Sequence, residues 1–450
     1  MARDAARIPM ENQTDSRLSL DAYVARSWEN LFDACTRCGK CVEACPVVPF
    51  VAELKQDDPQ SVVAGVLDYM VDQNAPIRQS SSLWAKQCNG CEACIPACPA
   101  SINPRRMVNL ANAEIARRTS PTPHLFHKMS RAIRILAAMQ LVPADVARLL
   151  RPRKARDVDV VFYTGCNAIR TPSLLFNAMS ILDALDVNYE VMGGPASCCG
   201  IVKSKWEGDL SRGGRVTEQT LHRFGEFKPE RVLNWCPSCQ IHLTETVRDY
   251  REVSFDIDHI TKYLIERKDD LRMRFNTAVN LRVLLHTHHG VPQVGRDVLE
   301  LLQAVPGLTV VDVVEEPGYM CGSSGADRSP ALKQHHRAIT LDRCKRPDVD
   351  AVVSLYHACH RNLCADGSTH GFKVVSFTEL LVRALGQEPF ADTMEPFQGR
   401  NDWHTIAREA APLLEENGID MDEEQLAAAL PEIFAMAEYK GGLCQFAPDE

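Results

Sequence analysis

Twice in its first hundred residues this chain sets four cysteines in the order C-x2-C-x2-C-x3-C-P. CTRCGKCVEACP carries Cys35, Cys38, Cys41 and Cys45, and CNGCEACIPACP carries Cys88, Cys91, Cys94 and Cys98. Thiols this closely spaced constrain a fold more than any hydrophobic pattern, because they must be bonded to something. Disulfides are one candidate for a chain with 18 cysteines, but disulfide-dense domains are short and exported. This chain has 450 residues, and its polar start, MARDAARIPMENQTDSRLSLD, lacks the apolar core of a secretory signal. A cytoplasmic chain with clustered cysteines more often binds metal, and the spacing decides which one.

Three thiolates at this spacing wrap one corner of a cube, in a loop tight enough for its amides to point at the sulfurs. The fourth lies just beyond, and in two-cluster ferredoxins it ligates the other cluster. The reading is therefore two cubane [4Fe-4S] clusters. Cys35, Cys38, Cys41 and Cys98 hold one, and Cys88, Cys91, Cys94 and Cys45 the other. Pro46 and Pro99 follow each fourth cysteine, as the motif requires. Zinc ribbons also use C-x2-C pairs, but a triple run with a trailing C-P is uncommon for zinc.

Pattern divides the chain into a polar leader (1–21), a helical ferredoxin-type domain (22–118), a basic linker (119–157), two α/β units (158–250 and 251–385) and an acidic helical tail (386–450). In the first domain, Asp58-Pro59 reads as an N-cap and first helical residue, with Val62, Val63, Val66, Leu67 and Met70 on one side of the helix. Between Arg117 and Arg156, a stretch that takes in most of the linker and the two residues before it, ten Arg or Lys stand against one acid, Asp145. Within the linker, HLFHKMSRAIRILAAMQLV is an amphipathic helix with Lys128, Arg131 and Arg134 on the polar side. That side is either solvated or docks on an acidic partner or an anionic membrane surface. From Asp157 strands alternate with helices, which indicates a mainly parallel sheet. VDVVFYTGC, NYEVMGG and ERVLNWC are strands of the first half; LRVLLHTHHG, LTVVDVV and DAVVSLYHACH are those of the second. The halves align as an internal repeat, with His289 opposite Cys166, Cys321 opposite Cys199, and Tyr356 and Cys359 opposite Cys236 and Cys239.

Within the first half, 31 residues separate Cys166 from Cys198-Cys199-Gly200, 36 separate Cys199 from Cys236, and two separate Cys236 from Cys239. Thiols spaced across one α/β unit converge at the strand ends, where ligands sit in open parallel sheets. This pattern resembles the cysteine-rich CCG domain of heterodisulfide reductase catalytic subunits. The order of ferredoxin module, linker and duplicated unit is similar to the fused subunit of that family. Glycolate, lactate and glycerol-3-phosphate dehydrogenase iron–sulfur subunits share this order, as do related subunits of sulfate reducers and sulfur oxidisers. The ferredoxin module itself resembles the helical one of succinate dehydrogenase iron–sulfur subunits. The resemblance implies an α+β multidomain chain and a noncubane [4Fe-4S] cluster on Cys166, Cys198, Cys199, Cys236 and Cys239. In heterodisulfide reductases such clusters cleave disulfides one electron at a time.

The second unit departs from that pattern. His289, Met320 and Tyr356 replace three of the five cysteines, leaving Cys321 and Cys359. It is expected to be structural or, at most, to hold one mononuclear metal through His289, Cys321 and Cys359, completed by His288, His357 or His360. Cys344, Cys364 and Cys444 are expected to be structural or free thiols. Two functions follow from the resemblance. One is an oxidoreductase subunit acting on a disulfide, thiol or sulfur substrate; the other is a non-catalytic electron conduit for a flavoprotein dehydrogenase. Both imply other redox subunits as partners. The net charge of −9 argues against nucleic-acid binding. No run of apolar residues is long enough for a membrane span, so the expected location is cytoplasmic, with any membrane association made through a partner.

Overall fold

The structure is a computed structural model, and it describes residues 19–72, 74–119, 124–151, 154–247, 250–319, 329–400 and 402–437. The N-terminal region is helical. Its first helix, Leu20–Ala34, starts inside the polar leader drawn at 1–21, because Leu20 is already buried in the core. The helix Pro59–Val71 is capped as its sequence indicates: Asp58 accepts from Ser61 N at 2.9 Å. It buries Val62, Val63, Val66, Leu67 and Tyr69, and Met70 packs partly buried against the same core. The helix Pro104–Thr119 leads out of the second cysteine run.

Two four-stranded sheets follow, each wholly parallel. The first contains β1 (Val160–Gly165), β2 (Tyr189–Gly193), β3 (Arg231–Asn234) and β4 (Asp256–His259), in the order β2-β1-β3-β4. The second contains β5 (Arg282–His286), β6 (Thr309–Val314), β7 (Ala351–Ser354) and β8 (Val374–Ser376), in the order β6-β5-β7-β8. The first sheet thus runs past the division at 250, since β4 pairs with β3. In each sheet the chain reverses direction of travel at its first strand, which makes the gap between first and third strands a switch point.

Alternation along the strands sends neighbouring residues into different cores. Val161, Tyr163 and Val232 face the helices of the N-terminal region. Val160, Phe162 and Leu233 face the core shared with the second sheet. The linker belongs to that second core. Its helix Leu125–Ala138 buries Met129, Ile133 and Leu136, while Arg131 and Arg134 stay exposed. The tail helices Trp403–Glu416 and Glu423–Ala437 pack on it, and Asn417 Nδ2 donates to Leu141 O at 2.8 Å. Among the described residues no helix is long and apolar enough to cross a membrane.

Candidate functional site

The loops leaving the first sheet bring five thiols to its switch point. Cys166 directly follows β1, Cys198 and Cys199 follow β2 after the short turn Pro195–Ser197, and Cys236 follows β3. Cys239 lies in the first turn of the helix Pro237–Ile241. All five are buried, none more than 6% exposed. Their side chains interact in an unbroken series, Cys166 with Cys198, Cys198 with Cys199, Cys199 with Cys239 and Cys239 with Cys236. The Cys199 and Cys239 sulfurs are 3.4 Å apart. Gly165 lets β1 approach this closely: its φ is +71°, and a Cβ there would lie 3.2 Å from Cys239 Sγ. Thr217 and Thr220 hold the paired cysteines by donating to Cys199 O and Cys198 O at 2.7 and 2.8 Å.

The protons of this group are shared unequally. Its hydrogen bond to Cys198, and then burial, push the Cys166 thiol well above its usual range. Hydrogen bonds from Cys198 and Cys239 pull Cys199 down to about 6. Gly200 N lies 3.4 Å from Cys198 Sγ, and the amides of Ile201 and Ser238 stabilise the Cys199 and Cys236 sulfurs. Soft sulfur donors, buried, mutually repelling when ionised and met by amides, fit a cationic cluster of soft metal.

The N-terminal cysteines gather in two sets that mix the two runs. Cys35, Cys38, Cys41 and Cys98 line one small cavity, closed by Val63, Ile102 and Met107. Cys45 lies against Cys88, and both act on Cys91 and Cys94. The fourth cysteine of each run therefore sits with the other run's first three. Burial, followed by their neighbours' charges, pushes Cys41 up to about 12; burial and Cys88 push Cys45 to about 11. Cys41 also acts on Cys94, so the two sets adjoin. The loops turn through left-handed residues, Arg37 and Gly39 in one and Gly90 and Glu92 in the other.

Arg105, which no sequence pattern marks, ties the second set to both sheets. Only 4% of its side chain is exposed. Its guanidinium donates to Gly90 O at 2.9 Å, to Gly290 O at 2.7 Å, and to the Glu245 carboxylate beyond Cys239. Asn89 Nδ2 donates to Gly318 O at 3.0 Å, so the same cysteine loop meets a second part of the C-terminal unit. An arginine in the polar run NPRRM carries no sequence signal for this; its partners are 140 and 185 residues away.

At the second sheet's switch point the replacements are large side chains. Tyr356 is 1% exposed and lies close enough to Cys236 to feel its charge. His288 packs edge-on to it at 5.1 Å. Of the mononuclear set expected here, Cys321 lies outside the described residues, and the described members do not gather into one group with His289 and Cys359. Cys359 is felt by His288 rather than His289, whose neighbours are Glu315 and Arg296. His357 faces Arg361 and Arg170, and His360 turns away to Asp392. Met320, Cys321 and Cys444 lie outside the described residues. Cys344 is a buried thiol in a helix, but Cys364 is not a lone one, since it interacts with His360. The spacing His360-x3-Cys364, one helical turn, is the signal that would have found that pair.

Comparison with known proteins agrees with this geometry. The family described as a 4Fe-4S dicluster domain matches residues 34–103, and the family described as a cysteine-rich domain matches residues 160–244. The chain is similar to a subunit of the dihydromethanophenazine:CoB–CoM heterodisulfide reductase from Methanosarcina mazei, 23% identical over 79% of this chain and 94% of the relative. The corresponding protein from Methanosarcina barkeri is 22% identical over the same shares. A subunit of the fumarate reductase (CoM/CoB) from Methanothermobacter marburgensis is 25% identical over 50% of this chain and 46% of its own length. No solved structure matches. With a dicluster domain, a cysteine-rich domain and these relatives, the chain is a heterodisulfide reductase-like iron–sulfur subunit with a redox role.

Proposed function

We propose that this chain carries electrons through two cubane clusters to or from a noncubane [4Fe-4S] cluster that acts on a disulfide, thiol or other sulfur substrate, within a heterodisulfide reductase-like complex. Cys35, Cys38, Cys41 and Cys98 would hold one cubane, Cys88, Cys91, Cys94 and Cys45 the other, and Cys166, Cys198, Cys199, Cys236 and Cys239 the noncubane cluster. The observation that carries this reading is the series of five buried, mutually contacting thiols at one switch point. When bound, the clusters supply one-electron chemistry. The chain's own residues hold the thiols together, exclude water and aim amides at the sulfurs. Arg105 fixes the second cysteine loop against both sheets. The two α/β units form a duplicated domain in this reading, the second retained as scaffold, as their like strand orders support.

A second reading, an electron conduit for a flavoprotein dehydrogenase, draws on the replaced cysteines of the second unit, where a fully buried Tyr356 stands beside Cys236. Anaerobically purified protein, assayed for iron and examined by electron paramagnetic resonance, tests the cluster set. About 12 irons per chain are expected, and about eight without a noncubane signal would remove the third cluster. Cys198→Ser should abolish that signal and spare the cubanes. Anaerobic co-purification then separates the readings, a flavoprotein dehydrogenase partner supporting the conduit.

A further inference from the structure

Among the described residues, apart from the cysteines above, one group of metal-ligating side chains comes together in the second unit. His360 and Cys364 stand one turn apart on the helix His357–His370, so both leave the same face. Asp392, on the segment leading from the second sheet to the tail, reaches the same point. The imidazole, thiol and carboxylate donor atoms all lie within 4.8 Å of one another. His360 and Cys364 are each 1% exposed, so water cannot satisfy them.

The surrounding hydrogen bonds define what the imidazole offers. Ser354 Oγ lies 2.8 Å from His360 Nδ1 and donates its single proton to Val375 O at 3.3 Å. Nδ1 is then the donor to Ser354, and the ring's other nitrogen, Nε2, faces the Asp392 carboxylate. A hydroxyl that fixes one ring nitrogen as donor while the other meets anionic ligands is the arrangement found behind metal-bound histidines. Asp392 is itself held by Met394 N at 2.9 Å, and the Glu395 carboxylate lies near enough to act on both Asp392 and Cys364. A thiol and two partly buried carboxylates crowd one buried imidazole, and that excess of acceptors calls for a cation.

We propose that His360, Cys364 and Asp392 bind one zinc ion, with a fourth position taken by water or Glu395. Nitrogen, sulfur and oxygen donors together suit zinc, whereas magnesium or calcium would call for oxygen alone. The ion clips the segment carrying Asp392 to the helix behind β7, and so pins the start of the tail to the second unit. This site shares no residue with the iron–sulfur ligand sets, and it stands whether or not those assignments hold. The competing account of the same geometry is a plain imidazolium–carboxylate pair beside a thiol.

Full-length protein, purified anaerobically and incubated with equimolar zinc before desalting, is assayed for zinc and iron in the same sample. About one zinc per chain is expected beside the iron, with a zinc-edge X-ray absorption spectrum of one sulfur near 2.3 Å and nitrogen or oxygen near 2.0–2.2 Å. Cys364→Ser and Asp392→Asn should each lose the zinc while the iron count stays unchanged. No zinc in the wild-type chain overturns the proposal, as does zinc retained in both variants. A shell of sulfur alone, which would mean zinc lodged in emptied cluster sites, overturns it too. The spectrum is read on the wild-type chain, so the test remains decisive even where a variant fails to fold.

Discussion

Gly200, beside the paired cysteines, sits at φ +91°, and a Cβ there would lie 2.4 Å from both Gly213 O and Thr217 Oγ1. Thr217 is also the residue that holds the Cys199 carbonyl. Gly200→Ala must therefore strain its own backbone, by about 1–3 kcal/mol, and push aside the support of a proposed ligand. The expected result is loss of the noncubane resonance with both cubane signals kept; an undiminished third signal would show that the pair does not depend on this support. A different test applies to the crossed cysteines. Cys98 lines the cavity with Cys35, Cys38 and Cys41, although it stands in the other run. Cys98→Ser should alter the cluster proposed for Cys35, Cys38 and Cys41 and leave the second cubane's spectrum in place. The reverse pattern would reject the crossed assignment. Both the gathering of the crossed cysteines and that of the five thiols were legible in the sequence, the first from the repeated run and the second from strands that each lead into cysteines. Arg105 was not, because what defines its role is burial between segments far apart in the chain.

Secondary structure was legible where apolar residues run unbroken. β1, buried along its whole length, follows from VVFYTG, as expected for a parallel strand covered on both faces. β4 and β8 escaped because they are short, four and three residues, and β4 reads as Asp, Ile, Asp, His. Yet β4 ends on a residue with a definite task. His259 caps the helix Ile260–Glu266 by accepting from Thr261 N at 3.3 Å on Nδ1, and its Nε2 donates to Trp235 O at 3.0 Å. The contact to Thr261 N requires the neutral ring, since a protonated Nδ1 cannot accept, and burial pushes its pKa from 6.5 down to about 4. The folded chain therefore binds this proton more weakly than the unfolded chain. Its contribution to stability is complete above pH 6.5 and is lost as pH falls from 6.5 toward about 4. Denaturant midpoints measured across that window should fall with pH in the wild-type chain and fall less steeply in His259→Gln. Equal slopes for the two proteins would show that the imidazole is not the titrating group.

Across the whole molecule the two α/β units grip each other reciprocally. The helix after β1, Pro172–Ala184, packs on the helix after β8, Phe377–Ala384, and the helix after β5, Pro292–Gln303, packs on the helix after β4, Ile260–Glu266. Thr261 Oγ1 donates to Asp297 at 2.9 Å across the second contact, and the Trp235 ring after β3 stacks on the Phe377 ring of the other unit at 5.7 Å. Trp235 directly precedes Cys236, so an aromatic residue of the degenerate unit supports the strand end that presents a proposed ligand. This is the physical ground for reading the second unit as scaffold despite its replaced cysteines. Phe377 is fully buried, and Phe377→Ala is expected to cost about 3–5 kcal/mol although it removes no sulfur. Because Val160, Phe162 and Leu233 share one core with the second sheet, that loss should not stay in the second unit. Thermal unfolding at a fixed scan rate, followed by far-ultraviolet circular dichroism and by cluster absorbance, should move to lower temperature in both signals together. If circular dichroism shifts while the absorbance keeps its wild-type midpoint, the units unfold independently, and the second one does not hold the first one's site.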